Sequence, residues 1–158
     1  MAAGCSASVS VHGGVITGDG PYRAAWKHWW DQIARDEKPY LATATSPGVC
    51  NIGGIKQECV ATDLKIAADL RGLRTALRTA HVPGPYRRAT NLTLLAVSQN
   101  LRGLNLRIRS LSAGPWTLAQ RNTWFRQSNV ELRAAEHAFA RGWAAFPDWA
   151  KPGPPPRI

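Results

Sequence analysis

Apolar residues recur every three or four positions along most of this chain, and the repeat breaks only where proline and glycine cluster. Four helices follow from that pattern. The first starts at Pro21, a residue suited to the first helical position. Tyr22, Trp26, Trp29, Trp30, Ile33, Glu37, Tyr40, Leu41 and Ala44 continue it at helical spacing. Pro39 falls inside this helix. An internal proline costs about 3 kcal/mol unless the chain bends or restarts, so a kink is expected over 36–39. Ser46-Pro47-Gly48 ends the element.

The second helix is predicted over 58–80, with Val60, Leu64, Ala67, Leu70, Leu73, Leu77 and Ala80 as its apolar stripe. Asp63 and Asp69 lie early in it and Arg71, Arg74 and Arg78 late, an order that suits the helix dipole. His81-Val82-Pro83-Gly84-Pro85 is a stop and a tight turn. The third helix is predicted over 85–111, on Tyr86, Ala89, Leu92, Ala96, Leu101, Leu104, Ile108 and Leu111. The run Leu94-Leu95-Ala96-Val97 widens its apolar face, as packing on two sides requires. Ser112-Ala113-Gly114-Pro115 is the next turn. The fourth helix is predicted over 116–145, on Leu118, Phe125, Asn129, Leu132, Glu136, Phe139, Trp143 and Phe146.

Short connections make successive helices antiparallel neighbours. The expected fold is therefore all-α: an antiparallel up-down-up-down four-helix bundle over 21–147. Residues 1–20 read as a flexible tether and 148–158 as an extended proline-rich tail. At 158 residues the chain has room for one domain, and its 44% apolar content is that of a folded chain rather than a disordered one. No apolar run approaches the roughly 20 residues that cross a bilayer as a helix.

Charge changes the picture more. Twenty basic residues oppose ten acidic ones, for a net charge of +10. Between Asp69 and Glu131 there is no acidic residue and no lysine, but there are ten arginines, so this window carries the whole excess. A field of that size draws polyanions or anionic membrane surfaces. Arg71, Arg74 and Arg78 share one face of the second helix, and Arg102 and Arg109 share one of the third. Adjacent helices are expected to merge these five into an anion-binding patch. A merely solvated face is the other reading of the same pattern.

Cys50 and Cys59 bracket eight residues that include Gly53-Gly54. A disulfide across that loop stabilises by about 2.5 kcal/mol on the loop-entropy model. Neither a zinc site nor a Cys-x-x-Cys redox pair has this spacing. A disulfide implies an oxidising compartment; two buried free thiols are the alternative. Met1-Ala2-Ala3-Gly4-Cys5 followed by Ser6-Ala7-Ser8 resembles the cleavage box of a bacterial lipoprotein, which implies lipidation of Cys5. The basic and apolar parts of such a signal are missing from the sequence, so this reading needs a start further upstream; otherwise the protein is cytoplasmic.

With its cysteine-bearing first loop, the Pro85-Tyr86 start of the third helix, its arginine- and leucine-rich helices and Asn129-Val130-Glu131-Leu132-Arg133, the chain resembles small secreted helical lipoproteins of GC-rich Gram-positive bacteria. The resemblance implies a bundle fold outside the cytoplasm and carries no activity.

Catalytic chemistry finds no carrier. The four histidines His12, His28, His81 and His137 are scattered, and no zinc-protease, di-iron, phosphate-loop or nucleophile-elbow spacing occurs. No enzyme activity, metal or cofactor is expected. Seven tryptophans are many for this length. Trp26, Trp29 and Trp30 on the first helix and Trp124 and Trp143 on the fourth read either as a bulky aromatic core or as a hydrophobic pocket. The function expected is a lipid-anchored binding or structural module of the cell envelope. Its basic face would meet anionic lipid, wall polymer or another envelope protein. A cytoplasmic nucleic-acid-binding protein is the alternative, with the arginine window on phosphates.

Overall fold

The computed structural model describes residues 20, 22–24, 26–28, 31, 32, 35, 57–146 and 151. Those of the first segment are helical and belong to α1, positions 20–35. Then come α2 (Gln57–Thr79), a 3₁₀ turn (Gly84–Tyr86), α3 (Arg87–Leu111) and α4 (Leu118–Ala144). No strand occurs among the described residues, and the helices pack together around one main core. The expected kink at 36–39, both terminal tails apart from Gly20 and Lys151, Cys5, Cys50, Trp29 and Trp30 lie outside the described residues.

Local chemistry sets the helix ends. Glu58 stands in the first turn of α2 and Arg78 in its last, each beside the dipole end of opposite sign. Thr117 caps α4 reciprocally: its hydroxyl accepts from the Gln120 backbone N–H, and the Gln120 side chain accepts from the Thr117 backbone N–H at 2.9 Å. In α3 the first turn has no side-chain cap and no acidic residue, yet begins with Arg87 and Arg88.

The close contact of the fold is α3 on α4. A Cβ at Gly103 would stand 2.8 Å from the Leu132 side chain, and one at Gly142 would stand 2.8 Å from the Thr93 hydroxyl. Ala89, Ala96, Ala135 and Ala138 are buried as well. Small residues let the two backbones approach, and larger ones there would overpack the seam. The contacts run in opposite order along the two helices: Thr93 meets Gly142, Gly103 meets Leu132, and Arg109 meets Trp124.

This seam corrects the predicted stripe of α4. The buried positions are Ser128, Ala135, Ala138, Phe139 and Gly142. Leu118, Asn129 and Glu136, placed on the stripe by spacing, are exposed. Phe139 and Phe146 are in the core and Leu132 and Trp143 pack against it, as the spacing predicts; alanine, serine and glycine carry little hydrophobic signal, so a pattern weighted by large side chains missed Ser128, Ala135, Ala138 and Gly142. In α2, likewise, Leu64 is 50% exposed, while Asp63 and Ile66 are buried.

α1 docks at the end where α3 begins. Tyr22 and Trp26 are each 1% exposed. The rings of Tyr22 and Tyr86 lie 5.1 Å apart, and Trp26 meets Phe146 edge-on at 4.9 Å. A hydrogen-bond relay joins these helices. The Trp26 indole N–H donates to the Tyr22 oxygen at 2.8 Å, the Tyr22 hydroxyl bonds to Thr90, and Thr90 donates to the Tyr86 carbonyl at 2.8 Å. An indole N–H only donates, so the tyrosine hydroxyl has its own proton left for Thr90.

Burial pushes the Tyr22 phenol above its ordinary value, against the opposing pull of its bonds to Thr90 and Trp26. A raised phenol stabilises the fold fully below the unfolded value near 10, and that contribution is lost as pH rises through the folded value. Tyr22 is therefore expected to ionise only in step with alkaline unfolding. Phenolate absorbance followed alongside circular dichroism checks this. If every phenol titrates near pH 10 while the helices persist, the relay is open to water.

Candidate functional site

The ten arginines of the acid-free window divide by partner. Arg107 is buried and binds Asp63 of α2 with two nitrogens, Nε to Oδ2 at 2.8 Å and Nη2 to Oδ1. Burial pushes the Asp63 carboxyl above its ordinary value, while the hydrogen bonds and charge of Arg107 pull it down. Asp63 is thus the acidic partner of this arginine, 44 positions away in the sequence. The position of Asp63 early in the helix suits the dipole, and its side chain is also buried against α3.

Arg102 pairs with Glu131 of α4, Nη2 to Oε2 at 3.1 Å. Arg109 lies over the Trp124 ring, 5.0 Å from its centroid. Both therefore lean toward α4 and engage groups there. The expected five-arginine patch is redistributed, because α4 supplies a carboxylate and an aromatic face that draw Arg102 and Arg109 away from α2. Arg121 is engaged too. It donates to the carbonyls of Ser110 at 2.9 Å, Ser112 at 2.6 Å and Gly114 at 3.4 Å, satisfying oxygens at the end of α3 that have no intrahelical partner.

Arg71, Arg74, Arg78, Arg87, Arg88 and Arg126 form no ion pair with any described residue. The turn at 80–83 brings the end of α2 back to the start of α3, so Arg78, Arg87 and Arg88 share one end of the molecule. Arg141 in the last turn of α4 joins them, since its neighbour Gly142 lies against Thr93 and Ala89 near the start of α3. All four are exposed. Arg71 and Arg74 extend this basic end along α2. Arg87 and Arg88 face the positive pole of their own helix, which disfavours cations there.

Among the described tryptophans, Trp124 does not share a pocket with Trp26 and Trp143. Trp26 is in the core with Phe146, and Trp143, half-buried, lies 6.3 Å from Phe146 by ring centroid. Trp124 belongs to the other end of α4, against Trp116. Nineteen residues of helix separate Trp124 from Trp143, about 28 Å at 1.5 Å per residue. Trp29 and Trp30 lie outside the described residues.

Cys59 is buried with Val60, Leu111 and Ile108. It is disulfide-bonded, and its partner lies outside the described residues. No group of three or more His, Cys, Asp or Glu side chains among the described residues has the geometry to hold a metal ion. No described helix is long and apolar enough to cross a membrane. In comparisons with known proteins, no family model, no curated protein and no solved structure matches this chain.

Proposed function

We propose that this protein is an extracytoplasmic, lipid-anchored helical module of the cell envelope, whose arginine-rich end binds phosphate groups of anionic lipids or of an anionic wall polymer. Its helices run up-down-up-down. The observation that carries this reading is the gathering of Arg78, Arg87, Arg88 and Arg141 from three helices at one end, none of them in an ion pair with another described residue. α1 docks at that same end, through Tyr22 against Tyr86. A tether running from a lipidated Cys5 to Gly20 would therefore leave the bundle beside its arginines.

Each arginine near an anionic surface is worth about 1 kcal/mol. Four to six would strengthen a lipid anchor substantially and orient the bundle on it. A Cys50–Cys59 disulfide fits the buried, disulfide-bonded state of Cys59 and supports an oxidising compartment.

The test is the triple variant Arg78→Glu, Arg87→Glu and Arg88→Glu, titrated with phosphatidylglycerol vesicles and separately with soluble polyphosphate. Binding is expected to fall at least tenfold with helicity unchanged, and wild-type binding is expected to weaken as salt rises. Loss on vesicles alone assigns the site to lipid head groups; loss on both probes assigns it to phosphate polymers as well. Unchanged binding on both sinks the proposal. Intact mass of protein from its own host tests the compartment: three free thiols, together with tight salt-dependent binding to duplex DNA, would transfer the arginines to the nucleic-acid reading.

A further inference from the structure

The turn between α2 and α3 sets a histidine inside the arginine cluster. His81 is exposed and stands between Arg78, in the last turn of α2, and Arg87 and Arg88, which open α3. The turn is short and held on both sides. The Ala80 N–H donates to the Ala76 carbonyl at 3.0 Å, and the Tyr86 N–H donates to the Pro83 carbonyl at 3.0 Å. His81 is therefore confined to the neighbourhood of these arginines. The charged groups at this end are cationic on every element: Arg74 and Arg78 on α2, Arg87 and Arg88 on α3, Arg141 on α4, and Arg23 beside the docked Tyr22 on α1. Among the described residues, α2 carries no carboxylate after Asp69, α3 carries none at all, and α4 carries none after Glu136.

We infer that His81 is a proton-linked ligand of the phosphate site: binding of a phosphate takes up a proton from solvent onto its imidazole, and the site tightens as pH falls from 8 to 6. Arginine stays charged throughout that range, so the guanidinium groups supply affinity without pH dependence. Histidine is the side chain whose charge changes there. A phosphate held by Arg78, Arg87 and Arg88 lies next to the imidazole, favours its charged form and accepts from its N–H groups. Two other described histidines are placed too far along their helices to share this role. His137 is four residues before Arg141, about 6 Å down α4, and His28 is six residues beyond Tyr22, about 9 Å along α1.

The inference rests on the phosphate-binding reading and deepens it, and its test separates the two. Full-length protein is titrated with phosphatidylglycerol vesicles at pH 6 and pH 8, because a phosphodiester keeps one charge over that range. One more cation at an anionic surface is worth about 1 kcal/mol, so wild-type binding is expected to weaken about fivefold from pH 6 to pH 8. His81→Gln is expected to bind at both pH values as the wild type binds at pH 8, with helicity unchanged. His137→Gln is expected to keep the wild-type profile. The same fivefold loss with soluble polyphosphate extends the site to phosphate polymers, and a loss confined to vesicles assigns it to lipid head groups. Wild-type binding that salt weakens but pH leaves unchanged overturns the inference and leaves the arginine site standing. A pH dependence that persists in His81→Gln overturns it as well, because another group then takes the proton. Absence of binding to either probe at both pH values removes the phosphate site itself, and the inference with it.

Discussion

Replacing Asp63 by alanine is expected to cost about 3 to 5 kcal/mol of folding free energy. The side chain of Asp63 is fully buried and that of Arg107 is 8% exposed. The substitution takes from the buried guanidinium the carboxylate that two of its nitrogens bind. The cost arises from leaving that charge less well compensated more than from the lost attraction. Taking both ions out of water is itself expensive, so the pair adds little net stability over apolar groups of the same size. The double replacement Asp63→Leu with Arg107→Met should therefore recover most of the loss, and a gain over wild type is within the same physics. Urea denaturation of the two single variants and the double variant measures this. Losses below about 1 kcal/mol for both single variants would mean that water reaches the pair.

Trp26→Ala is expected to cost about 3 to 5 kcal/mol as well, for a different reason. Its ring is buried edge-on against Phe146, and its N–H starts the relay through Tyr22 and Thr90 to the Tyr86 carbonyl. Truncation leaves a cavity that stiff neighbours fill only partly. It also takes a donor away from the buried Tyr22 oxygen. Because α1 docks largely through Tyr22 and Trp26 among its described residues, the loss should localise. Hydrogen exchange is expected to accelerate in α1 well before the α3–α4 seam, which is held by its own contacts. A variant losing under 1 kcal/mol, or one in which all four helices open together at the same rate, would contradict this division.

The connection between charge and fold is what the two pairs of α3 and its neighbours illustrate. Arg107 and Arg102 both come from a window with no acidic residue of its own. Their partners, Asp63 and Glu131, lie just beyond its two ends in sequence, on α2 and α4. Folding therefore pairs Arg102 and Arg107 with carboxylates and brings Arg78, Arg87 and Arg88 together at the α2–α3 turn, while Arg109 and Arg121 lie near the α3–α4 connection.

Helical spacing by itself determined that the described residues form helices and no strand, where α2, α3 and α4 begin and end to within two residues, and the inward positions of Tyr22, Leu70, Leu73, Tyr86, Leu104 and Phe139. Large side chains at regular intervals and proline-glycine turns are local signals, and local signals survive in a linear reading. Net charge and its confinement to one window were equally legible. Tertiary structure alone decided which arginines are spent on partners, that Asp63 is a core residue, that small residues (Ser128, Ala135, Ala138 and Gly142) join Phe139 on the inner face of α4, and that Trp124 and Trp143 stand about 28 Å apart along α4. Each of these depends on what a neighbouring helix presents across a gap of a few ångströms. A buried aspartate and an exposed one have the same place in a helical repeat, and only the guanidinium opposite distinguishes them.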